Sequence, residues 1–156
     1  MVAQQEQMSF QVGKRKRIAL VAHDNKKPEL LEWVKRNRQQ LLQHELYGTG
    51  TTGKLVEQEL GTTVIKYKSG PLGGDQQLGA KKADQMIDIL IFMIDPLTAQ
   101  PHDVDVKALQ RIAVVWNIPM AWDLATADFI LTSPYMKDTY TREVPSFSTY
   151  LNRTIP

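Results

Sequence analysis

Short apolar runs, separated by segments with helical spacing, are the main pattern along this chain. The runs are rich in Val, Ile and Leu and are bounded by charged or turn residues, which is typical of buried strands. The run Ile87–Ile94 is the most hydrophobic and is predicted to be the central strand of a sheet. The pattern predicts strands at Ile18–Ala22, around Glu45–Tyr47, at Thr62–Tyr67, at Ile87–Ile94 and at Ile118–Ala121.

The segments between these runs have apolar residues at helical spacing. Helices are predicted from near Pro28, over Lys54–Leu60, from Asp75 onward, over Asp103–Trp116 and from Trp122 through Leu131, with a tail of loops and one terminal segment after them. This alternation predicts a single α/β domain of three layers, α/β/α, around a doubly wound, mostly parallel five-stranded sheet of the Rossmann-like type. Ligands of such sheets bind at the carboxyl ends of the strands.

The first residues precede this pattern and are polar and basic. Residues 1–16 are predicted to be a flexible extension, and residues 17–156 the folded domain. The basic run Lys14–Arg17 is interpreted as a solvated edge. Its alternative is a contact with nucleic acid or an anionic surface, which the absence of interleaved aromatic residues and a net charge of only +2 do not favour.

The composition restricts the class of protein further. With 42% hydrophobic and 23% charged residues, the chain is typical of globular proteins, and its longest apolar run is far short of the roughly 20 residues of a membrane span. It has no cysteine, which excludes disulfides, thiolate catalysis and thiolate metal ligands. Met1–Gly13 has no apolar core of a signal peptide, so a cytoplasmic location without membrane contact is expected.

Two glycine-rich segments follow the second and third predicted strands. Gly48–Gly53 precedes a helix, where free N–H groups and the helix dipole favour an anion such as phosphate, although a plain turn is the other interpretation. It matches neither the P-loop nor the dinucleotide fingerprint. The segment Lys68–Gly79 contains Asp75, which is either a helix cap or a carboxylate held beside a ligand.

Further polar side chains follow the first and fourth predicted strands. His23 and Asp24 come after the first, and Asp95, His102 and Asp105 after the fourth. Taken one at a time, each of these residues can also be explained as a helix cap or an ordinary loop residue. Because the carboxyl ends of parallel strands meet at one edge, we expect these groups and the glycine-rich segments to form one active site.

Several segments of the chain, in order, resemble the methylglyoxal synthase family. The likeness covers roughly Arg17 to Leu151. It implies conversion of dihydroxyacetone phosphate to methylglyoxal and inorganic phosphate by a homohexamer that needs no metal and no cofactor. The matching segments are ALVAHD (19–24), GTGTTG (48–53), SGPLGGDQQ (69–77), DPL (95–97), PHDVDVKAL (101–109), VWNIP (115–119) and ATADF (125–129).

The resemblance also implies a role for each site residue. Asp75 would be the catalytic base, with His102 or His23 as donor to the carbonyl oxygen and Asp105 tuning His102 or relaying a proton. Phosphate would be the product and a candidate inhibitor. Asp24 and Asp95 would support the site, and substrate would be bound by His23, Lys27, Thr49, Gly50, Thr51, Thr52, Ser69, Gly70 and His102.

Two alternatives and two departures accompany this resemblance. The fold is shared with the regulatory domain of carbamoyl phosphate synthetase, so an anion-binding regulatory module is the first alternative, and a synthase homologue with lost or redirected activity is the second. Trp122 and Asp123 stand where the family pattern has Thr-Asn, and are expected to alter packing, the subunit interface or the cavity wall. Arg153 is a candidate for a phosphate-directed arginine, about one residue out of register.

Overall fold

A five-stranded parallel sheet forms the centre of the structure, which is a computed structural model that describes residues 7–156. Its strand order is β4-β3-β2-β5-β6, and a separate antiparallel pair joins β1 to β7. The mostly parallel five-stranded sheet is confirmed. In chain order the strands are β1 Gln7–Val12, β2 Arg17–Ala22, β3 Glu45–Thr49, β4 Val64–Tyr67, β5 Ile89–Met93, β6 Met120–Ala121 and β7 Tyr140–Pro145.

Helices cover both faces of the sheet, which confirms the three-layer prediction. Alternate residues of β2 pack in opposite directions, since Ile18 and Leu20 contact one face cluster and Ala19 and Val21 the other. The first cluster contains residues of α1, α3 and α6, and the second contains residues of α4 and α5. The helices are α1 Lys27–Arg36, α2 Arg38–Leu41, α3 Gly50–Leu60, α4 Gly74–Ala83, α5 Asp103–Val115, α6 Leu124–Leu131 and α7 Ser148–Leu151.

The strand β5, which lies in the most hydrophobic run of the sequence, is not the middle strand of the sheet. That position belongs to β2, and β5 lies between β2 and the short edge strand β6. Both β2 and β5 are covered on both faces, so their hydrophobicity does not distinguish between two interior positions.

The prediction of a flexible extension over residues 1–16 is wrong for Gln7–Val12, and residues 1–6 lie outside the described residues. Gln7–Val12 forms β1 and pairs with β7, in the tail that the sequence predicts to be loops. Each strand buries few side chains, so its position depends on a partner far away in the sequence. The basic run is not wholly solvated either, because Lys16 is buried and Arg17 forms an ion pair with Asp88 at 2.9 Å.

The helices of residues 7–156 include none with the length and apolar character that crossing a bilayer requires.

Lys82 of α4 is a fully buried cation between two helices. Its Nζ atom donates a hydrogen bond to the Leu109 carbonyl of α5 at 3.1 Å and lies 3.6 Å from the Met120 sulfur. Burial alone lowers the pKa of Lys82 from 10.5 to about 7. Since the unfolded chain keeps the ordinary pKa, the unfolded state binds more protons between pH 7 and 10.5, and stability rises with pH over that range.

We therefore expect Lys82→Met to raise the free energy of unfolding at pH 7 by about 2 kcal/mol or more, because it removes a charge that is costly to bury. The gain should shrink as the pH rises toward and above 10.5, because Lys82 then becomes neutral in the unfolded state as well. Urea denaturation at several pH values measures this, with Lys81→Met as the matched control at the neighbouring position of α4. A destabilised Lys82→Met variant at pH 7 would contradict the prediction.

Candidate active site

A cavity of about 230 Å³ lies at the carboxyl ends of the parallel strands. Segments that follow β2, β3, β4 and β5 all contribute to its wall, as expected for a sheet of this type. Asp95 and Asp105 are the two predicted site residues that are not part of the wall. The predicted residues that line it are His23, Asp24, Lys27, Thr49, Gly50, Thr51, Thr52, Ser69, Gly70, Asp75 and His102.

The segment that the sequence predicts to bind phosphate forms the first turn of α3 rather than a loop before it. The helix begins at Gly50, four positions before the predicted Lys54, and Thr49 is its N-cap. The first N–H groups of a helix have no intrahelical acceptor and carry the positive end of the helix dipole. Gly50, Thr51 and Thr52 line the cavity, so this helix start offers donors to an anion there.

Gly50 has a φ of +50° and lies against the next segment of the wall. A Cβ atom at this position would approach the Ser69 Cβ to 2.8 Å, so a larger residue would push the two segments apart. The absence of a side chain at Gly50 thus allows the start of α3 and the Ser69-Gly70 backbone to face one cavity.

Asp75 is the second residue of α4 and not its cap, so of its two interpretations the helix cap is excluded. Gly73, with a φ of 103°, occupies the N-cap position, and Gly74 begins the helix. Gly74 packs so closely that a Cβ atom would lie 1.8 Å from the Lys68 carbonyl oxygen. This packing anchors the first turn of α4 and fixes the backbone that carries Asp75.

The Asp75 carboxylate is buried without a hydrogen-bond partner. Its side chain is 1% exposed, and neither oxygen accepts a hydrogen bond from the residues that the structure describes. The His102 Nε2 atom lies 3.5 Å from Oδ2. Burial raises the pKa of Asp75, the charge of Asp105 raises it further, and His102 partly opposes them. A desolvated carboxylate of this kind is suited to act as a base.

His23 is held by a hydrogen bond that fixes its tautomer. Its Nδ1 atom accepts from the Asp95 backbone N–H at 2.9 Å, so the neutral ring carries its proton on Nε2. Nε2 is buried and has no partner among residues 7–156. Burial and the neighbouring His102 lower the pKa of His23, so the ring is neutral at pH 7 and offers an N–H donor.

Asp95 and Asp105 act on the site from outside the cavity. Asp95 uses its backbone N–H to orient His23, while its carboxylate accepts hydrogen bonds from Asn25 and the Leu97 N–H. Asp105 accepts a hydrogen bond from Gln76 at 3.3 Å and acts on Asp75 through its charge.

The remaining predicted cations differ in their surroundings. Lys27 lines the cavity and forms an ion pair with Asp24, whose carboxylate is exposed. Arg153 donates to the Tyr150 carbonyl, lies over the Tyr150 ring and is not part of the cavity wall.

Sequence reasoning missed five residues of the wall, which are Val21, Ala22, Pro71, Phe92 and Gln100. Gln100 stands two positions before His102, and this proximity is the one indication that the sequence offered. Phe92 lies within the apolar run of β5, where nothing separates a cavity residue from a core residue.

Comparison with known proteins gives consistent matches. A family model described as an MGS-like domain matches residues 29–122. A methylglyoxal synthase of Coxiella burnetii (strain RSA 493 / Nine Mile phase I) is 58% identical over 140 residues, which cover 90% of this chain and 98% of that protein. One of Saccharophagus degradans is 56% identical over 137 residues, covering 88% of this chain and 89% of that protein.

A solved structure agrees with these sequence matches. The crystal structure of methylglyoxal synthase from Elizabethkingia anophelis NUHP1 superposes with a TM-score of 0.90 at 56% identity, covering 96% of this chain and 98% of that chain. The residues, the fold and these similarities together place the chain in the methylglyoxal synthase family.

Proposed function

We propose that this protein is a methylglyoxal synthase, a carbon–oxygen lyase that converts dihydroxyacetone phosphate to methylglyoxal and inorganic phosphate. One observation carries the proposal: the buried, unpartnered carboxylate of Asp75 shares a cavity with the helix start of α3. A base and an anion site within one small cavity fit a substrate that has an acidic C–H group and a phosphate.

The first step is removal of a proton from the hydroxymethyl carbon of the substrate by Asp75. The electrons of the C–H bond form a carbon–carbon double bond, and negative charge develops on the carbonyl oxygen. His23, with its Nε2 proton, is the donor to that oxygen, and His102 lies beside both His23 and Asp75. Because these donors are in place before reaction, the charge is stabilised with little rearrangement.

The second step is loss of phosphate from the enediolate. The hydroxyl group of the enediolate gives up its proton and becomes the aldehyde, the double bond shifts toward the carbon that bears phosphate, and the C–O bond breaks with its electron pair leaving on phosphate. The enolate left behind takes up a proton on its terminal carbon to become methylglyoxal. Expulsion requires the C–O bond to stand out of the enediolate plane. The α3 start, Lys27 and the Ser69-Gly70 backbone hold the phosphate in the position that sets this angle.

A regulatory module that binds an anion is the alternative function. It would need the start of α3, but not the desolvated carboxylate of Asp75. The purified protein should therefore be given dihydroxyacetone phosphate, with phosphate and methylglyoxal measured together. Equal molar amounts of both products support the lyase, whereas phosphate binding without either product would support the regulatory module or a homologue that has lost activity.

The pH dependence of kcat/KM should report the ionisation of Asp75. Since burial raises the pKa of Asp75, the base is protonated as the pH falls, and activity should be lost on the acid side at a midpoint above the ordinary value of about 3.9. Initial rates between pH 4 and 8 measure this, with samples returned to pH 7 to check recovery. Full activity down to pH 4 would contradict the assignment.

Three further properties are proposed from the family resemblance. They are a homohexamer, a cytoplasmic location and inhibition by the product phosphate. Sedimentation of the purified protein tests the first, fractionation of the source cells the second, and initial rates with added phosphate the third.

A further inference from the structure

Three aromatic rings connect the end of β6 to the wall of the cavity. The Trp122 ring lies 5.6 Å from the Phe92 ring, centroid to centroid, and the Phe92 ring lies 5.3 Å from the His23 ring with an edge-to-face angle of 80°. Phe92 is 1% exposed and lines the cavity. Trp122 therefore contacts the residue that packs directly against His23.

Trp122 also forms part of a second, more open space. A groove of about 680 Å³ is lined by Trp122, Asp95 and His23, so His23 belongs to the wall of both the groove and the cavity. The groove is therefore the side from which water can approach the His23 ring from outside the cavity. Trp122 lines this groove together with His23 and packs against Phe92.

Asp123, the other residue that departs from the family pattern, has a separate structural role. Its side chain caps α6 by accepting a hydrogen bond from the Thr126 N–H at 2.7 Å. The cap fixes the backbone directly after Trp122, which restricts where the indole can lie.

We propose that Trp122 is a positioning residue for the lyase reaction, acting through Phe92 to hold the His23 ring and to exclude water from behind it. His23 is then fixed by two contacts, the Asp95 N–H at Nδ1 and the edge of Phe92. The proposal rests on the proposed function, since His23 is there the donor to the carbonyl oxygen. An indole in place of a small polar residue makes the environment of the donor drier and more rigid.

The charged groups around His23 do not depend on Trp122. They are His102 and Asp103 at the start of α5, of which His102 is the N-cap, Asp95 after β5 and Lys27 of α1. Of these, His102 and Lys27 lower the pKa of His23, and Asp95 and Asp103 raise it, while burial has the largest effect and lowers it. Removal of the indole leaves the four groups in place and admits water, so the pKa of His23 should rise.

The test compares Trp122→Ala, Trp122→Phe and wild type by NMR titration of the histidine rings and by steady-state kinetics. The His23 signals are identified from the spectrum of His23→Gln. Trp122→Ala should raise the His23 pKa toward the ordinary value of about 6.5 and lower kcat about tenfold with little change in KM. In Trp122→Phe, both the His23 pKa and kcat should be close to their wild-type values. Trp116→Ala is the matched control, because Trp116 packs against Phe10 and Phe147.

An unchanged His23 pKa in Trp122→Ala would overturn the proposal, and so would an equal loss of kcat in Trp116→Ala. A shifted pKa without a change in kcat would overturn it as well. The NMR titration does not depend on turnover. A wild-type protein without lyase activity therefore contradicts the proposed function, whereas an unchanged titration in Trp122→Ala contradicts the role of Trp122.

Discussion

Replacing Asp75 with asparagine should lower kcat by about a thousandfold or more, because the amide keeps the shape of the side chain and removes the base. Positioned bases contribute roughly 10² to 10⁴ to proton transfer. The pKa of Asp75 is raised in the fold, so its ionised form is penalised at neutral pH. The free energy of unfolding at pH 7 should therefore stay the same or rise in Asp75→Asn, and phosphate binding at α3 should persist.

Asp84→Asn is the matched control for this substitution. Asp84 is the exposed C-cap of the same helix, α4, and it should show wild-type turnover. Wild-type turnover in a folded Asp75→Asn protein would show that another group removes the proton.

Replacing Gly70 with alanine should lower kcat/KM by about a hundredfold, although it adds only one methyl group. The new Cβ atom would lie 2.7 Å from the His102 Nε2 atom and 3.2 Å from the Asp75 Oδ2 atom. Both functional side chains must move, and displacements of this size are costly when reacting groups are aligned. The expected result is inactivity in a protein that still folds, measured by kinetics and by thermal unfolding.

Gly79→Ala provides the comparison, because its Cβ atom would meet nothing closer than the Leu109 Cδ1 atom at 3.9 Å. Gly79 lies within α4, where alanine is the better helix former, so this variant should be fully active and slightly more stable. Equal activity in Gly70→Ala and Gly79→Ala would contradict the close packing of His102 and Asp75 around Gly70.

The buried, unpartnered polar atoms of Asp75 and His23 lower the stability of the fold but suit the proposed reaction. Each has a buried polar atom without a partner among residues 7–156, and such atoms usually destabilise a fold. The bond from Asp95 to His23 and the packing of Gly74 hold the two side chains in place. The unpartnered atoms are then the ones that a substrate can satisfy.

The sequence predicted the sheet and most of the cavity wall, because local patterns determine both. Apolar runs define the parallel strands, and the carboxyl ends of those strands define the edge where Asp75 and His102 meet. The pairing of β1 with β7 was not predictable, since each strand buries few side chains and depends on a distant partner.

Finer details of the site also depend on packing rather than on local pattern. The cap of α4 is Gly73 and not Asp75, because the approach of Gly74 to the Lys68 carbonyl fixes the helix start. The roles of Asp95 and Asp105 differ for a similar reason. Only the folded chain shows that the Asp95 backbone N–H donates a hydrogen bond to His23 and that the Asp105 carboxylate accepts one from Gln76.

The measurement that tests the central claim most directly is a single-turnover rate of phosphate release, with enzyme in excess over substrate. Dihydroxyacetone phosphate carrying deuterium on its hydroxymethyl carbon is compared with the ordinary substrate. If Asp75 removes that proton before phosphate leaves, release from the deuterated substrate should be slower, and Asp75→Asn should release no phosphate on the same time scale. Equal rates from both substrates, or release by Asp75→Asn at the wild-type rate, would contradict proton abstraction by Asp75 as the step that starts the reaction.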